Sequence, residues 1–272
     1  MAQAGSTHDV RLDPGRGVVV KRFRSCLRRE PEREWAALRL LAESAPGLAP
    51  APLHADLCAD PAAIEMSFLP GDPLTGKRPT PPQLAALVEA LERLWRCTPP
   101  RDRFPGDAPP NSAALTGHVR SMVAACPDLG DDPAARRSFA AAVAWLEGAD
   151  PGRYPAEQLP ILGQGDANFA NFLWDGERVR LVDFEDCGPS DRGFELAILV
   201  EHLSAWSDTC LDADAFLARF ELTAAEQARV RTCRRLAALF WLVMLRPGGS
   251  ASARNPPGTL QRQARRLLEL LD

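Results

Sequence analysis

The spacing of apolar and polar residues changes along the chain. Residues 8–12 alternate, and Asp13-Pro14-Gly15-Arg16-Gly17 carries turn chemistry. The β-branched run Val18-Val19-Val20-Lys21-Arg22-Phe23 predicts the second strand of a hairpin. From residue 31 to 43 the period becomes helical, with Trp35, Leu38, Leu41 and Ala42 near one face. Residues 63–69 read as a further strand, and Pro70-Gly71-Asp72-Pro73 breaks it. That break is the expected boundary between a first domain, 1–69, and a second, 70–272.

The second segment is mostly helical in pattern. Thr80-Pro81-Pro82-Gln83 has a capping Thr, a Pro at the first helical position and a Gln three residues after the cap, which together predict a helix start. Leu84, Leu87, Val88, Leu91, Leu94 and Trp95 follow at i, i+3, i+4 spacing. Further amphipathic stretches cover about 112–125, 133–148, 194–207, 211–221, 223–246 and 257–271. A single β interruption, 161–184, divides these helices.

That interruption holds the candidate chemistry. Asp175-Gly176 between two apolar runs predicts a hairpin. Folding there brings Asn171 and Asp183, at its two ends, toward one point. An amide oxygen and a carboxylate so placed suit Mg2+. Asp166 precedes Asn171 by five residues, giving the spacing D-x-x-x-x-N. Protein kinases use that spacing to hold a catalytic carboxylate beside a metal-binding Asn, with the metal Asp further on.

In these residues the chain resembles the aminoglycoside phosphotransferase family, the small-molecule branch of the kinase-like fold. Gly165-Asp166 and Asn171 match its H-G-D-x-x-x-x-N signature, with Gln164 in place of the His. Val182-Asp183-Phe184-Glu185-Asp186 matches the strand that ends in the metal-binding Asp. Gly188-Pro189-Ser190-Asp191-Arg192-Gly193-Phe194-Glu195-Leu196-Ala197 resembles the family's G-x-x-D-x-x-x-D-L-A segment, with Glu195 for the second Asp. The resemblance implies an α/β (α+β), two-lobed protein-kinase-like fold. A small antiparallel N-lobe sheet with one helix would bind nucleotide, and a larger, mainly helical C-lobe would carry the catalytic hairpin. It implies ATP and Mg2+ as cofactors, Asp166 as the catalytic residue, and Asn171 and Asp183 as metal ligands. Lys21 then resembles the strand lysine that grips the α- and β-phosphates, and Glu34 its carboxylate partner. Ser67 and Leu69 occupy the hinge position, where a backbone carbonyl and an amide meet the adenine edge. Gly5-Ser6-Thr7 is the candidate loop over the phosphates, and it reads as short. Gln164 can donate and accept hydrogen bonds as the family's His does, so it is expected to replace a structural tie.

Composition narrows the partners. Hydrophobic residues make up 46% of the 272 residues and the net charge is −4, without the basic stripe that nucleic acid requires. The seven cysteines include no C-x-x-C pair, which argues against a zinc site or a disulfide framework. No apolar run reaches membrane-spanning length. The first residues lack the basic and apolar regions of a signal peptide, so a cytoplasmic location is expected.

The acceptor follows less directly. From Asp183 the chain runs straight into 188–197, with no long peptide-binding segment, so a small-molecule hydroxyl is expected. Nine acidic residues and one basic residue lie between Asp183 and Asp214, which favours a cationic amino-alcohol or aminoglycoside. Antibiotic resistance would follow from the family alone. Two other classes stay open: a tailoring kinase for a biosynthetic intermediate or peptide hydroxyl, and a non-catalytic, pseudokinase-like nucleotide-binding protein.

Overall fold

A computed structural model describes residues 8–24, 29–99, 104, 111–126, 129–153 and 160–272. The candidate phosphate loop, Gly5-Ser6-Thr7, lies outside the described residues. The chain divides into two compact units, Met1–Ala108 with Leu159–Ser190, and Pro109–Gln158 with Asp191–Asp272.

The first unit opens with the expected hairpin, β1 (Asp9–Asp13) and β2 (Val18–Arg22), in antiparallel register with Val10 opposite Lys21. Helix α1 (Glu30–Ser44) follows, with Pro31 in its first turn, where a missing N–H costs nothing. It buries Ala37, Leu38, Leu40 and Leu41, and also two carboxylates, Glu30 and Glu34. Strands β3 (Pro52–Asp56) and β4 (Ala63–Ser67) complete a four-stranded antiparallel sheet ordered β1-β2-β4-β3. The sequence Pro-Leu-His-Ala-Asp of β3 has no strand period. It becomes an edge strand by pairing with β4, and an edge tolerates a Pro at the first position. Strand β4 ends at Ser67, short of the expected residue 69: the Phe68 amide makes one more bond in register, to the Gly17 carbonyl, but Gly17 has a left-handed φ of 62° and Pro70 has no amide to donate.

The same unit contains the short β5 (Asp72–Pro73) and α2 (Pro81–Trp95). The Thr80 amide donates to Gln83 Oε1 at 2.8 Å, so the predicted capping box forms. Strands β6 (Ile161–Gly163) and β9 (Gly188–Ser190) pair as a ribbon, while β7 (Phe172–Trp174) and β8 (Val179–Leu181) form the hairpin. At its tip Asp175 Oδ1 accepts from the Glu177 and Arg178 amides, and Gly176 takes φ 104°.

The second unit is helical: α3 (Asn111–Ala124), α4 (Pro133–Gly148), α5 (Arg192–Glu201), α6 (Ala213–Leu217), α7 (Ala224–Met244) and α8 (Thr259–Leu271). Val119, Leu146, Leu236, Leu239, Leu242 and Leu267 meet in its core. Asp132, Asp191, Asp212 and Thr223 cap four of these helices through side-chain oxygens. The helix expected over 194–207 stops at Glu201. His202 is extended, its Nδ1 lies 2.6 Å from Ser204 Oγ, and a π-helical turn, Ser204–Asp208, follows. Among the described residues no helix is long and apolar enough to cross a membrane.

Candidate active site

The residues singled out for chemistry all lie in the first unit. The ribbon of β6 and β9 sets the start of the loop that carries Asp166, with Gly163 opposite Gly188. Gly165 takes φ 80°, and a Cβ there would run into the Asp186 backbone carbonyl. Only glycine lets the Asp166 loop pass so close to the segment after Asp183.

Gln164 is buried, and its Nε2 donates to the Val182 carbonyl at 2.8 Å. The Val182 amide in turn donates to the Asn171 carbonyl at 3.0 Å. One residue, held on both sides of its backbone, therefore spans from Asn171 to the position before Asp183. This is a structural tie of the kind expected of Gln164. Gln164→Ala should lower stability by about 1–3 kcal/mol, since a buried carbonyl loses its donor. Gln164→His should leave turnover within a few-fold, because a ring N–H can take the same bond. Denaturant midpoints and steady-state rates check both. A large gain in turnover for Gln164→His would instead mark the natural Gln as a lesion.

Asp166 sits at the mouth of this loop. Its Oδ1 accepts from the Asn168 amide at 3.2 Å and its Oδ2 from Asn171 Nδ2 at 3.0 Å. Burial, and after it the charge of Asp183, pushes its carboxyl up to about 6; the bond from Asn171 works the other way. The 3₁₀ turn Phe169–Asn171 then leads into β7. Because Asn171 Nδ2 is spent on Asp166, its Oδ1 is the end left for a metal.

At the other end of the hairpin Asp183 takes φ 66°, a left-handed conformation that few non-glycine residues adopt and that Asp tolerates better than most. Backbone conformations of this kind concentrate at functional sites. Its Oδ1 lies 2.5 Å from Lys21 Nζ. Lys21 is buried, 2.7 Å from Glu34 Oε2 and 2.6 Å from Glu185 Oε2. Burial opposes its charge, but Glu34, Asp183 and Glu185 together raise its pKa well above the usual lysine value. Burial likewise raises Glu34, against the pull of Lys21, and lifts Glu185 to about 7.

Lys21 is expected to pair with Glu34 and Asp183 to stand apart as a metal ligand; the structure brings all three together and adds Glu185. No local period marks it, because Asp183 takes a left-handed backbone and Glu185 lies in a turn, so the two share no strand face. Ser67 ends β4 opposite Val18 of β2, the strand that carries Lys21. Its Oγ accepts from the Ala51 amide at 2.8 Å, and its own amide donates to the Ala51 carbonyl at 2.9 Å, which fixes it against the segment before β3. Leu69, two residues on, is half-buried.

The Glu34, Asp183 and Glu185 oxygens lie within 4.8 Å of one another. One ammonium cannot neutralise three carboxylates, and the surplus negative charge in a partly buried place fits a divalent cation. The donors are hard oxygens, as Mg2+ prefers. Lys21 already occupies the space among the three, which leaves the more exposed Asp183, with Asn171, as the pair suited to the metal.

The acidic run from Asp183 to Asp214 is less of a wall than its sequence suggests. Within the second unit Asp191 pairs with Arg229 at 2.9 Å, and the fully buried Glu201 binds Arg234 at 2.8 Å and Arg266 at 3.0 Å. Asp212 caps α6. Much of the run is therefore spent on internal structure.

The profile of the family described as "Phosphotransferase enzyme family" matches residues 5–239. No curated protein matches closely enough in sequence to count as a relative. Similar solved structures include a choline/ethanolamine kinase family protein from Mesorhizobium loti, at 19% identity and TM-score 0.64, covering 100% of this chain and 87% of that one. A spectinomycin phosphotransferase in complex with ADP and spectinomycin is similar at 15% identity and TM-score 0.64, covering 100% and 88%. An aminoglycoside phosphotransferase in a ternary complex with streptomycin and ATP is similar at 15% identity and TM-score 0.65, covering 96% and 92%. At these identities the likeness is one of fold, and it is the kinase-like α/β fold that the sequence resemblance implies.

Proposed function

The chain belongs to the phosphotransferase enzyme family; on that footing we propose that it uses ATP and Mg2+ and moves the γ-phosphate onto a hydroxyl of a small molecule, with Asp166 as the catalytic group. The observation that carries this reading is the linked set of Asp166 on Asn171 and Asp183 on Lys21, held in one unit by a single hairpin.

Asn171 and Asp183 hold the metal in this proposal. Bound Mg2+ supplies charge neutralisation on the phosphate oxygens. Lys21, aimed by Glu34, meets the α/β side of the triphosphate. The Ser67 carbonyl and the Leu69 amide take the adenine edge. Nucleotide binding is thus assigned to residues 1–69 and the chemistry to the segment after them. Asp166 accepts a hydrogen bond from the acceptor hydroxyl and fixes its line of approach. As the acceptor oxygen bonds to the γ-phosphorus and the bond to the β–γ bridging oxygen breaks, the hydroxyl proton passes to Asp166 and ADP leaves. Catalysis is mainly positioning and electrostatics.

Only four residues separate Asp183 from β9, which supports a small acceptor over a peptide. Within this proposal the first acceptors to try are cationic amino-alcohols and aminoglycosides. Asp208 and Asp214 are exposed acids of the run, though Asp214 shares Arg234 with Glu201.

Millimolar ATP should raise the melting temperature by about 5 °C with Mg2+ and by clearly less with chelator, because ligand bound only to the folded state stabilises it. Transfer of labelled phosphate to a panel of hydroxyl acceptors then identifies the substrate. Absence of any MgATP-dependent shift sinks the reading.

A further inference from the structure

We propose that Asn168 is a second catalytic residue of the Asp166 loop, whose side-chain NH2 donates a hydrogen bond to an oxygen of the phosphoryl group in transfer. This rests on the reading of Asp166 as the group that meets the acceptor hydroxyl.

Asn168 lies between Asp166 and Asn171, and its polar groups can be followed one by one. The backbone amide donates to Asp166 Oδ1 at 3.2 Å. The backbone carbonyl accepts from the Asn171 amide at 2.9 Å. The side-chain Oδ1 accepts from the Ala170 amide at 3.1 Å and caps the 3₁₀ turn Phe169–Asn171. That last bond also fixes which way the amide faces, since only its oxygen end can accept from an N–H. The Nδ2 end remains, with its N–H donors and no partner among the described residues. Asn168 is half-buried, and Nδ2 is not sealed from solvent.

The reaction calls for a donor in this loop. Transfer passes through a loose transition state with negative charge spread over the equatorial oxygens of the phosphoryl group. Lys21 is assigned to the α/β side of the triphosphate, away from the acceptor. On the acceptor side Asp166, as a carboxylate, can only accept. Asn171 Nδ2 is spent on Asp166 Oδ2 at 3.0 Å. Ala167, Phe169 and Ala170, the other residues between them, have no polar side chain. The Asn168 NH2 is the side-chain donor that this stretch leaves free. A donor held by the loop before reaction needs no rearrangement as the charge develops, which is the condition for electrostatic catalysis. It moves no proton. The acceptor oxygen still bonds to the γ-phosphorus, the bond to the β–γ bridging oxygen still breaks, and the hydroxyl proton still passes to Asp166.

The rival role for Asn168 is that of a cap alone. The two roles use opposite ends of one amide, so substitution separates them. Asn168→Ser keeps a capping oxygen and removes the NH2. Asn168→Asp keeps cap and shape and puts an oxygen in place of the NH2. On the full chain, transfer of labelled γ-phosphate from MgATP is followed both to water and to an acceptor that wild type uses, beside calorimetric titration with MgATP. Asn168→Ser should lower kcat about 10²-fold, with MgATP affinity and the acceptor KM within about threefold of wild type and the melting temperature near it. Asn168→Asp should lower kcat at least as far and bind MgATP more weakly, because its charge opposes that of the γ-phosphate. Wild-type kcat in both variants overturns the proposal and leaves Asn168 a cap. A loss confined to the acceptor KM also overturns it, since the NH2 would then hold the acceptor. If Asn168→Ser does not fold, kcat of Asn168→Asp decides: a loss of about 10²-fold or more supports the proposal and a wild-type value overturns it. A wild-type protein that binds MgATP but passes phosphate to neither water nor any acceptor overturns the phosphotransfer reading and this one with it, whereas normal wild-type transfer with an indifferent Asn168→Ser overturns this one alone.

Discussion

Asp166→Asn is expected to lower turnover by about 10³-fold while leaving MgATP affinity within about twofold of wild type. Asn is nearly isosteric and can still accept from the Asn168 amide, so the loop persists. It cannot take a proton from the acceptor. Titration calorimetry beside single-turnover rates separates the two effects, and an active wild type matched by the Asn variant would remove Asp166 from its role.

The same substitution should stabilise the protein in a defined pH window. Burial, and after it the charge of Asp183, pushes the Asp166 carboxyl up to about 6, well above the ordinary aspartate range. A carboxyl raised in this way favours the fold while it is protonated. Its contribution is fully present below the unfolded pKa and is lost as pH rises through the folded one. Without nucleotide or metal, the melting temperature of Asp166→Asn should therefore match wild type near pH 4 and exceed it above pH 6. A difference that stays flat with pH would contradict the shift. The kcat profile should turn at a lower pH than this free-protein titration, because a cation on Asp183 offsets the second cause of the shift.

Asp183→Asn is the other large effect. Asn is the replacement of choice because it tolerates the left-handed backbone that Asp183 adopts, where Ala would be strained. Lys21 keeps Glu34 and Glu185, so the first unit should still fold. The carboxylate proposed for the metal is gone. Affinity for MgATP should fall by roughly two orders of magnitude, and turnover by at least as much. The diagnostic is the thermal shift caused by ATP, which should become the same with Mg2+ and with chelator. A variant that retained the Mg2+-dependent part of the shift would move the metal site elsewhere. The contrast with Asp166→Asn is the sharper result, since one variant loses chemistry and the other loses binding as well.

The sequence by itself determined whatever depends on neighbours in the chain. The helical period of 81–95 and the Thr80 capping box are local facts, and α2 forms where they say. The Asp175-Gly176 turn alone sets the register that puts Asn171 and Asp183 at the two ends of one hairpin. The D-x-x-x-x-N spacing likewise delivers Asp166 to Asn171, because five residues and a 3₁₀ turn leave little choice. Tertiary structure decided the rest. Strands β3 and β9 have no period of their own and exist because a partner supplies their hydrogen bonds. Lys21 and Asp183 are 162 residues apart, and no local pattern records that they touch or that Glu185 joins them. Charge was the least legible property. Nine acids in a run read as an anionic surface, yet Asp191 and Glu201 are neutralised by arginines 38 and 33 residues away, and burial rather than composition sets the proton affinity of Asp166. Electrostatic energy depends on distance and solvent in three dimensions, and the order of residues along a chain fixes neither until the chain has folded.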